Sequence, residues 1–244
     1  MTDLAGRVAV ITGGTRGIGL ATVRSLAAAG ATVVLTGREE RQAKLVAGDL
    51  GGSVAGVGLD VTNFSGVAKA FQTIAIQYGR IDIMVASAGI LEGAVLGMIR
   101  EDHVRRVFDV NVFGVLFSVQ AAARVMLRQR SGSIVLLSSV VASSGAPGQT
   151  AYAASKAAVT AITRSAAREL AGRGVRVNAV APGVIDTNLI AALPPEVLAR
   201  YHAGAPPGRL GTPEEVAQVI RFLVSDDATF INGQVIGVDG GLVT

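Results

Sequence analysis

The chain has 244 residues, of which 50% are hydrophobic, 16% are charged and 4% are aromatic, with a formal net charge of +4. It contains no cysteine and two histidines, which excludes disulfides, thiol catalysis and thiolate metal sites, and we expect no histidine metal site. The basic residues are scattered without a run of five, a pattern typical of a solvated surface and not of a nucleic-acid-binding patch.

The N-terminal sequence lacks the charged start and the small-residue cleavage site of a signal peptide. No uncharged apolar stretch reaches the roughly 18 residues that a membrane-spanning helix needs. We therefore expect a soluble, cytoplasmic protein that does not cross a membrane.

Short apolar runs rich in β-branched residues alternate along the whole chain with longer helical patterns. Strands are predicted at residues 7–12, 31–36, 53–58, 81–87, 132–139, 175–182 and 234–240. Helices are predicted near residues 17–29, 39–50, 64–78, 101–129, 151–172 and 213–224. Most strands are apolar throughout, as a parallel sheet covered on both faces requires. The pattern predicts one α/β domain, residues 1–244: a doubly wound, Rossmann-type, seven-stranded parallel sheet with helices on both faces.

The first predicted strand runs into the glycine-rich sequence TGGTRGIG, residues 12–19. Gly13, Gly17 and Gly19 lie where the strand gives way to a helix. Glycine permits a tight turn there and lets backbone N–H groups approach a pyrophosphate, while the helix N-terminus adds partial positive charge. In the first turn of a βαβ series this pattern predicts a dinucleotide site. The alternative is a glycine-rich turn without a ligand.

The end of the second predicted strand indicates which cofactor this site prefers. An NAD site usually has Asp or Glu near this position, to bind the ribose 2′-hydroxyl. Here Gly37 and Arg38 take that place, and Arg16 lies inside the glycine turn. Because arginine binds phosphate through paired N–H groups, the sequence favours NADP(H) over NAD(H). The alternative is that Arg38 is a solvated surface residue.

Three further features occur together and in order: the glycine spacing TGxxxGxG, the sequence YAASK at residues 152–156, and Ser139 thirteen residues before Tyr152. With these residues the chain resembles the short-chain dehydrogenase/reductase family over residues 4–241. Further matches are LDVT (59–62), NVFG (111–114), NAVAPGVIDT (178–187) and NGQVIGVDGG (232–241). The C-terminal part, from PPGRLGTPEE onward, is especially similar to 3-oxoacyl-(acyl-carrier-protein) reductases.

Two spacings separate the chain from other branches of this family. Extended epimerases and dehydratases carry TGxxGxxG, and bacterial enoyl reductases carry a longer Tyr-to-Lys spacing. One departure from the family pattern is ASAG at residues 86–89, where NNAG is common. Ala86 and Ser87 replace two amides that brace the central strands, while Ala88 and Gly89 remain small. We expect this change to affect cofactor affinity and not the chemistry.

Reduction of a ketone needs a hydride donor, a proton donor and stabilisation of the charge that develops on oxygen. Tyr152 can supply the proton, although its ordinary pKa is about 10. Lys156 shares its helix face at i+4, and we expect this cation to lower the tyrosine pKa. Ser139, at the end of the fifth predicted strand, can donate to the carbonyl oxygen; Ser138 competes, but the family spacing favours Ser139. The alternative is an ordinary surface pair on a helix.

The resemblance implies a fourth catalytic residue, Asn111, whose backbone holds a water linked to the lysine at a helix distortion. The alternative for Asn111 is a capping or buried amide. After the sixth predicted strand, Ile185 and Thr187 are expected to face the nicotinamide carboxamide. The full predicted cofactor site consists of Gly13, Thr15, Arg16, Gly17, Ile18, Gly19, Arg38, Asp60, Val61, Ala88, Gly89, Tyr152, Lys156, Pro182, Gly183, Ile185 and Thr187. No metal site is predicted.

Residues 188–212 are predicted to form a lid over the substrate, within the same domain. Its apolar residues suit an apolar substrate body, or else they form the packing face of a short amphipathic helix. They are Leu189, Ile190, Leu193, Leu198 and Tyr201.

These features predict an enzyme that reduces a ketone with NADPH, with a 3-oxoacyl thioester as substrate. One alternative is a reductase of free ketones and secondary alcohols, and a remote alternative is a non-catalytic NADPH-binding protein. An acidic acyl carrier protein would dock on basic residues near the site entrance, for which Arg130 and Arg173 are candidates; helix capping is their alternative role. The resemblance also implies a homotetramer.

Overall fold

A computed structural model, which describes residues 3–187 and 206–242, contains one sheet of seven strands. The strands are β1 Val8–Thr12, β2 Thr32–Gly37, β3 Val54–Gly58, β4 Ile83–Ala86, β5 Gly132–Leu137, β6 Val175–Pro182 and β7 Val235–Val238. They pair in the order β3-β2-β1-β4-β5-β6-β7, and every pairing is parallel. The predicted doubly wound fold is therefore confirmed, with strand ends that shift by at most two residues.

Helices connect the strands and cover both faces of the sheet. They are α1 Gly17–Ala28, α2 Glu40–Leu50, α3 Phe64–Tyr78, α4 Glu101–Phe108, α5 Gly114–Gln129, α6 Val141–Ser144, α7 Thr150–Leu170 and α8 Pro213–Val224. The predicted helix 101–129 is interrupted by a π-helical turn, Asp109–Phe113, which the sequence periodicity does not reveal. The short α6 was not predicted, because four residues are too few to show a helical period.

The strands bury side chains on both faces, which explains their continuous apolar runs. One core layer contains Val10, Val34, Met84 and Ile134, and it packs against Phe71 of α3, Val119 of α5 and Val159 of α7. The opposite layer contains Ile11, Leu35, Ile83 and Val135, and it packs against Val23 of α1, Ala43 of α2 and Ile220 of α8. The sheet is thus the middle of three layers.

Strand β1 pairs with β2 on one side and with β4 on the other, so the winding of the chain reverses at this point. Open α/β sheets bind ligands in the crevice at the carboxyl ends of the strands beside such a reversal. The predicted site residues follow the carboxyl ends of β1 to β6, so the topology brings them to one edge of the sheet.

Within the part of the chain that the structure describes, Glu101–Gln129 is the one segment that is long and apolar enough to cross a membrane, with a mean hydropathy of 1.6. Its most apolar stretch is 44% buried, and Val115, Val119 and Met126 lie in the core layer beneath it. Core helices also meet this criterion of length and composition.

Candidate active site

Close backbone packing shapes the turn between β1 and α1. Gly13 and Gly17 have positive φ values of +67° and +53°, which L side chains rarely adopt. A Cβ at Gly13 would lie 2.7 Å from Ala88 Cα, and a Cβ at Gly19 would overlap Gly13 O. Glycine at these positions therefore lets the turn lie directly against the loop after β4 and opens the N-terminus of α1 toward the sheet edge.

A cavity of about 750 Å³ runs along this edge, from the glycine turn to the loop after β6. This volume lies in the usual range for small-molecule and cofactor sites. Every residue predicted to bind the cofactor lines the cavity, and so does Ser139. Asn111 does not line it, although its neighbour Val110 does.

Two arginines line the cavity near the glycine turn, and the carboxylates of Glu39 and Asp60 line it as well. Arg16 and Arg38 both line it, and neither forms an ion pair with any residue that the structure describes. A Cβ at Gly37 would lie 2.7 Å from Thr15 Cγ2, so glycine lets β2 end directly beside the glycine turn. Glu40 forms an exposed ion pair with Lys44 at 2.5 Å and lies in the first turn of α2, where a carboxylate suits the helix dipole. Unpaired guanidinium groups near the glycine turn suit an anionic ligand group.

Two adjacent serines at the end of β5 have different surroundings. Ser138 is buried, its Oγ donates to Lys156 O at 3.0 Å, and it lies 3.1 Å from Thr160 Oγ1. Ser139 instead forms a side-chain hydrogen bond with the Tyr152 hydroxyl. The geometry thus favours Ser139 over Ser138 as the hydroxyl that meets a substrate, while Ser138 attaches β5 to α7.

Lys156 is buried and points back to the sheet. Its Nζ donates to Leu137 O at 2.8 Å and lies 5.7 Å from the centroid of the Tyr152 ring. Burial lowers the pKa of Lys156 to about 8. A methyl group at Gly89 would lie 3.5 Å from this Nζ and 3.4 Å from Asn111 Oδ1, so both groups face the same glycine.

The expectation that Lys156 lowers the pKa of Tyr152 is wrong for the protein by itself. Burial raises the pKa of Tyr152 to about 12, and the hydrogen bond from Ser139 only partly opposes this shift. At neutral pH the pair is therefore an ammonium and a protonated phenol, which is the state that a proton donor requires.

Asn111 lies in the π-helical turn and is fully buried. Its Oδ1 accepts from Ile90 N at 2.9 Å, while Nδ2 donates to Ile90 O at 2.9 Å and to Ser155 Oγ at 3.1 Å. The side chain is therefore occupied by structural bonds. The predicted role of Asn111 in holding a water depends on its backbone alone.

Ser155 is a residue of this network that the sequence analysis missed. It is buried inside YAASK, where its Oγ donates to Tyr152 O at 2.6 Å and accepts from Asn111 Nδ2. Ser155 thus connects the first turn of α7 to the π-helical turn. One feature of the sequence could have identified Ser155: it is a short polar residue on the inner face of an otherwise alanine-rich helix.

The loop after β6 is attached to the C-terminal strand. Gly183 N donates to Val238 O at 3.0 Å, and a Cβ at Gly183 would lie 2.9 Å from Asp239 Cα. Ile185 and Thr187 both line the cavity, together with Leu242, which the sequence analysis also missed. Leu242 follows the last strand, and no local pattern indicates that the chain returns to the site there.

Residues 188–205 of the predicted lid, with Leu189, Ile190, Leu193, Leu198 and Tyr201, lie outside the described residues. The expectation that Arg130 and Arg173 lie near the entrance of this cavity is wrong. Arg130 precedes β5 and Arg173 precedes β6, and a Cβ at Gly174 would overlap Arg130 O. Both therefore lie at the amino ends of the strands, on the edge of the sheet opposite the cavity.

Comparisons with known proteins agree with this architecture. The short-chain dehydrogenase model adh_short_C2, described as enoyl-(acyl carrier protein) reductase, matches residues 13–243. The 3-oxoacyl-[acyl-carrier-protein] reductase of Thermotoga maritima is 46% identical over 243 residues, which cover 98% of this chain and 99% of that protein. The same enzyme of Escherichia coli K12 is 37% identical over 240 residues, 98% of each chain.

Solved structures extend the comparison. A crystal structure from Beutenbergia cavernae has a provisional description as an NAD(P)-dependent gluconate 5-dehydrogenase, with NADP bound at low occupancy. It superposes with a TM-score of 0.94 at 40% identity and covers 98% of both chains. The two sets of relatives share a fold but differ in the polarity of the substrates that their descriptions name.

The Ser155 contacts generate a prediction. Ser155→Ala leaves one Asn111 N–H buried without an acceptor, so we expect a loss of about 1–3 kcal/mol in the free energy of unfolding. We also expect slower turnover per folded molecule, because the first turn of α7 loses its connection to the π-helical turn. Ser118→Ala is the matched control: Ser118 is equally buried and donates to Gly114 O, but it belongs to no such network. Urea unfolding measures the loss of stability, and steady-state kinetics measure the loss of turnover, each beside the control. Equal losses in Ser155→Ala and Ser118→Ala would contradict the role of Ser155.

The buried ammonium generates a second prediction. Because the pKa of Lys156 falls from 10.5 unfolded to about 8 folded, the unfolded chain binds the extra proton between these values. Stability should therefore rise with pH across this window. Lys156→Met should remove that rise. Lys69→Met, at an exposed lysine on α3, is the control and should retain it. Urea titrations at several pH values measure this, and an unchanged pH slope in Lys156→Met would contradict it.

Proposed function

The chain belongs to the short-chain dehydrogenase/reductase family, and from this membership we propose that it reduces the ketone of a 3-oxoacyl thioester to a secondary alcohol with NADPH. The observation that carries the proposal is the group Ser139, Tyr152 and Lys156, which lines one cavity with a hydroxyl, a protonated phenol and a buried ammonium. The two 3-oxoacyl-[acyl-carrier-protein] reductases that match nearly the whole chain support the choice of substrate class.

The residues present fit a dinucleotide. The turn after β1 has the backbone conformation and the helix N-terminus that a pyrophosphate needs, and the cavity continues from it to Tyr152 and Lys156. Gly13, Gly17 and Gly19 would hold the pyrophosphate, while Pro182, Ile185 and Thr187 would hold the nicotinamide end. When bound, the cofactor supplies the hydride.

The chain's own residues supply the proton and bind the carbonyl oxygen. Ser139 and Tyr152 are joined by a hydrogen bond, so a carbonyl oxygen bound by both meets two O–H donors. Tyr152 gives its proton to that oxygen as it gains negative charge. Lys156 is held by Leu137 O, and its ammonium stabilises the tyrosinate that remains. Asn111 would supply a backbone carbonyl for a water that returns the proton.

We propose NADP(H) over NAD(H) as the cofactor. Arg16 and Arg38 support this preference, because both line the cavity and neither has a carboxylate partner among the described residues. A 2′-phosphate would pair with these guanidinium groups, whereas a 2′-hydroxyl would offer them no charge.

We also propose an acyl carrier protein as the donor of the thioester and a homotetramer as the working form, in the cytoplasm. Six arginines of α5, α7 and the turns after them lack ion-pair partners among the described residues, which suits an acidic carrier. They are Arg124, Arg128, Arg130, Arg164, Arg168 and Arg173. Because Arg130 and Arg173 lie opposite the cavity of their own chain, a carrier bound there would serve the cavity of another protomer.

A second candidate function is the oxidation and reduction of free secondary alcohols and ketones. The similarity to the described gluconate 5-dehydrogenase favours it, because that protein covers the chain as completely as the acyl reductases do. The family-model description raises enoyl reduction as a further reaction to test. Ser139 and Tyr152 present two O–H groups to one oxygen, an arrangement that suits a carbonyl better than a carbon–carbon double bond.

The deciding experiment measures NADPH oxidation with acetoacetyl, crotonyl and free-ketone substrates, including 5-ketogluconate. We expect turnover of the acetoacetyl thioester, and none with Tyr152→Phe, whose affinity for NADPH should stay nearly unchanged because only one hydroxyl is lost. Turnover of free ketones alone would favour the second function. Undiminished activity of Tyr152→Phe would contradict the proposed chemistry.

The cofactor preference has its own test. Arg38→Asp should lower the ratio of kcat/KM for NADPH to that for NADH by about 10- to 100-fold, the range expected for a lost charged hydrogen bond. Arg41→Asp makes the same charge change on exposed α2, outside the cavity lining, and should leave the ratio nearly unchanged. An equal shift in both variants would remove Arg38 from the phosphate site.

A further inference from the structure

Glu39 is a carboxylate of the cavity wall that the proposed function does not use. It follows Arg38 directly, and both residues line the cavity. Glu39 also occupies the N-cap position of α2, where a side-chain oxygen often accepts from the free N–H groups of the first turn. The Glu39 side chain makes no such bond, so the helix does not hold its carboxylate.

The neighbouring carboxylates have partners within the protein. Glu40 pairs with Lys44 at 2.5 Å on the exposed surface of α2 and does not line the cavity. Asp60 lines the cavity, but its Oδ1 accepts from Thr62 N at 2.9 Å and from Thr62 Oγ1 at 2.8 Å. Among the described residues, the Glu39 carboxylate has no hydrogen-bond or ion-pair partner. Glu39 is therefore available to a ligand in the cavity.

The adjacent side chains of Arg38 and Glu39 suit opposite groups on an adenosine ribose. The Arg38 guanidinium pairs with a 2′-phosphate, which carries negative charge and accepts hydrogen bonds. A carboxylate repels such a phosphate but accepts a hydrogen bond from a 2′-hydroxyl. In doubly wound folds the acidic residue that binds this hydroxyl lies about 20 residues after the glycine turn. Glu39 lies at this separation from Gly19.

We propose that Glu39 is a second determinant of the cofactor: its carboxylate binds the ribose 2′-hydroxyl of NAD(H) and opposes the 2′-phosphate of NADP(H). The protein therefore uses both cofactors, and the preference for NADP(H) that Arg16 and Arg38 give is a moderate one. This inference rests on the proposed function and refines its cofactor. It assigns a role to the carboxylate that α2 leaves without a partner.

Removal of the charge at Glu39 should sharpen the preference for NADP(H). Glu39→Gln keeps the length of the side chain, but its amide does not repel a phosphate and accepts a weaker hydrogen bond from a hydroxyl. We expect the Kd of NADPH to fall and the Kd of NADH to rise, so that their ratio changes by about tenfold or more, the effect of one hydrogen bond to a charged group. In the unmodified protein the two Kd values should differ by less than about 100-fold.

Equilibrium binding tests this inference without a ketone substrate. Titration with NADPH and with NADH, followed by the fluorescence of the reduced nicotinamide, gives both Kd values. Glu40→Gln is the matched control: it makes the same change at a carboxylate outside the cavity lining and should leave the ratio within about twofold, as for an exposed ion pair. Competition with adenosine diphosphate, with and without a 2′-phosphate, should show the same change in Glu39→Gln, which assigns it to the ribose.

The outcomes separate this inference from the proposed function. An unchanged ratio in Glu39→Gln, or an equal change in Glu40→Gln, would overturn the role of Glu39, and so would an unmodified protein that binds NADPH but not NADH. Thioester turnover with NADPH would still support the proposed function in each of these cases. The expected change in a protein that reduces no thioester would support the role of Glu39 and overturn the proposed substrate. Binding of neither cofactor would overturn both.

Discussion

Lys156 reaches from α7 to the carboxyl end of β5, where its Nζ donates to Leu137 O, and the rest of the site depends on this contact. Ser138 makes the reciprocal bond, from β5 to Lys156 O. Two bonds in opposite directions thus fix the first two turns of α7 against the sheet. Tyr152, four residues before Lys156, is thereby placed beside Ser139. Burial removes the Lys156 ammonium from water, and this desolvation lowers the pKa of Lys156.

The second support of this turn comes from the opposite side. Ser155 and Asn111 connect α7 to the π-helical turn, and Asn111 in turn holds both backbone groups of Ile90. The helix departs from regular α geometry at Asp109–Phe113, and such π-helical turns occur frequently at functional sites. Ile90 lies in the loop after β4. The network therefore connects the first turns of α7 to that loop.

The wall of the cavity combines charged and apolar residues. Arg16 and Arg38, which have no ion-pair partner among the described residues, favour a phosphate-bearing cofactor, whereas Ile90 and Leu91 add apolar surface to the wall after β4. Ser139 and Tyr152 line the same cavity. A ketone bound by both would therefore share the cavity with the proposed cofactor.

The sequence alone determined the doubly wound sheet and the cofactor residues that line the cavity at the strand ends, because apolar strand runs and the motifs at strand ends are local patterns. Parallel topology then carries every strand end to one edge, so residues such as Arg38 and Ile185 could be assigned without coordinates. The tertiary structure decided what depends on contacts between distant segments. These contacts are the pairing of Ser155 with Asn111, the return of Leu242 to the cavity, and the position of Arg130 and Arg173 on the far edge. It also reversed the expected pKa shift of Tyr152, because the spacing of two residues on a helix does not reveal how deeply the surrounding fold removes them from water.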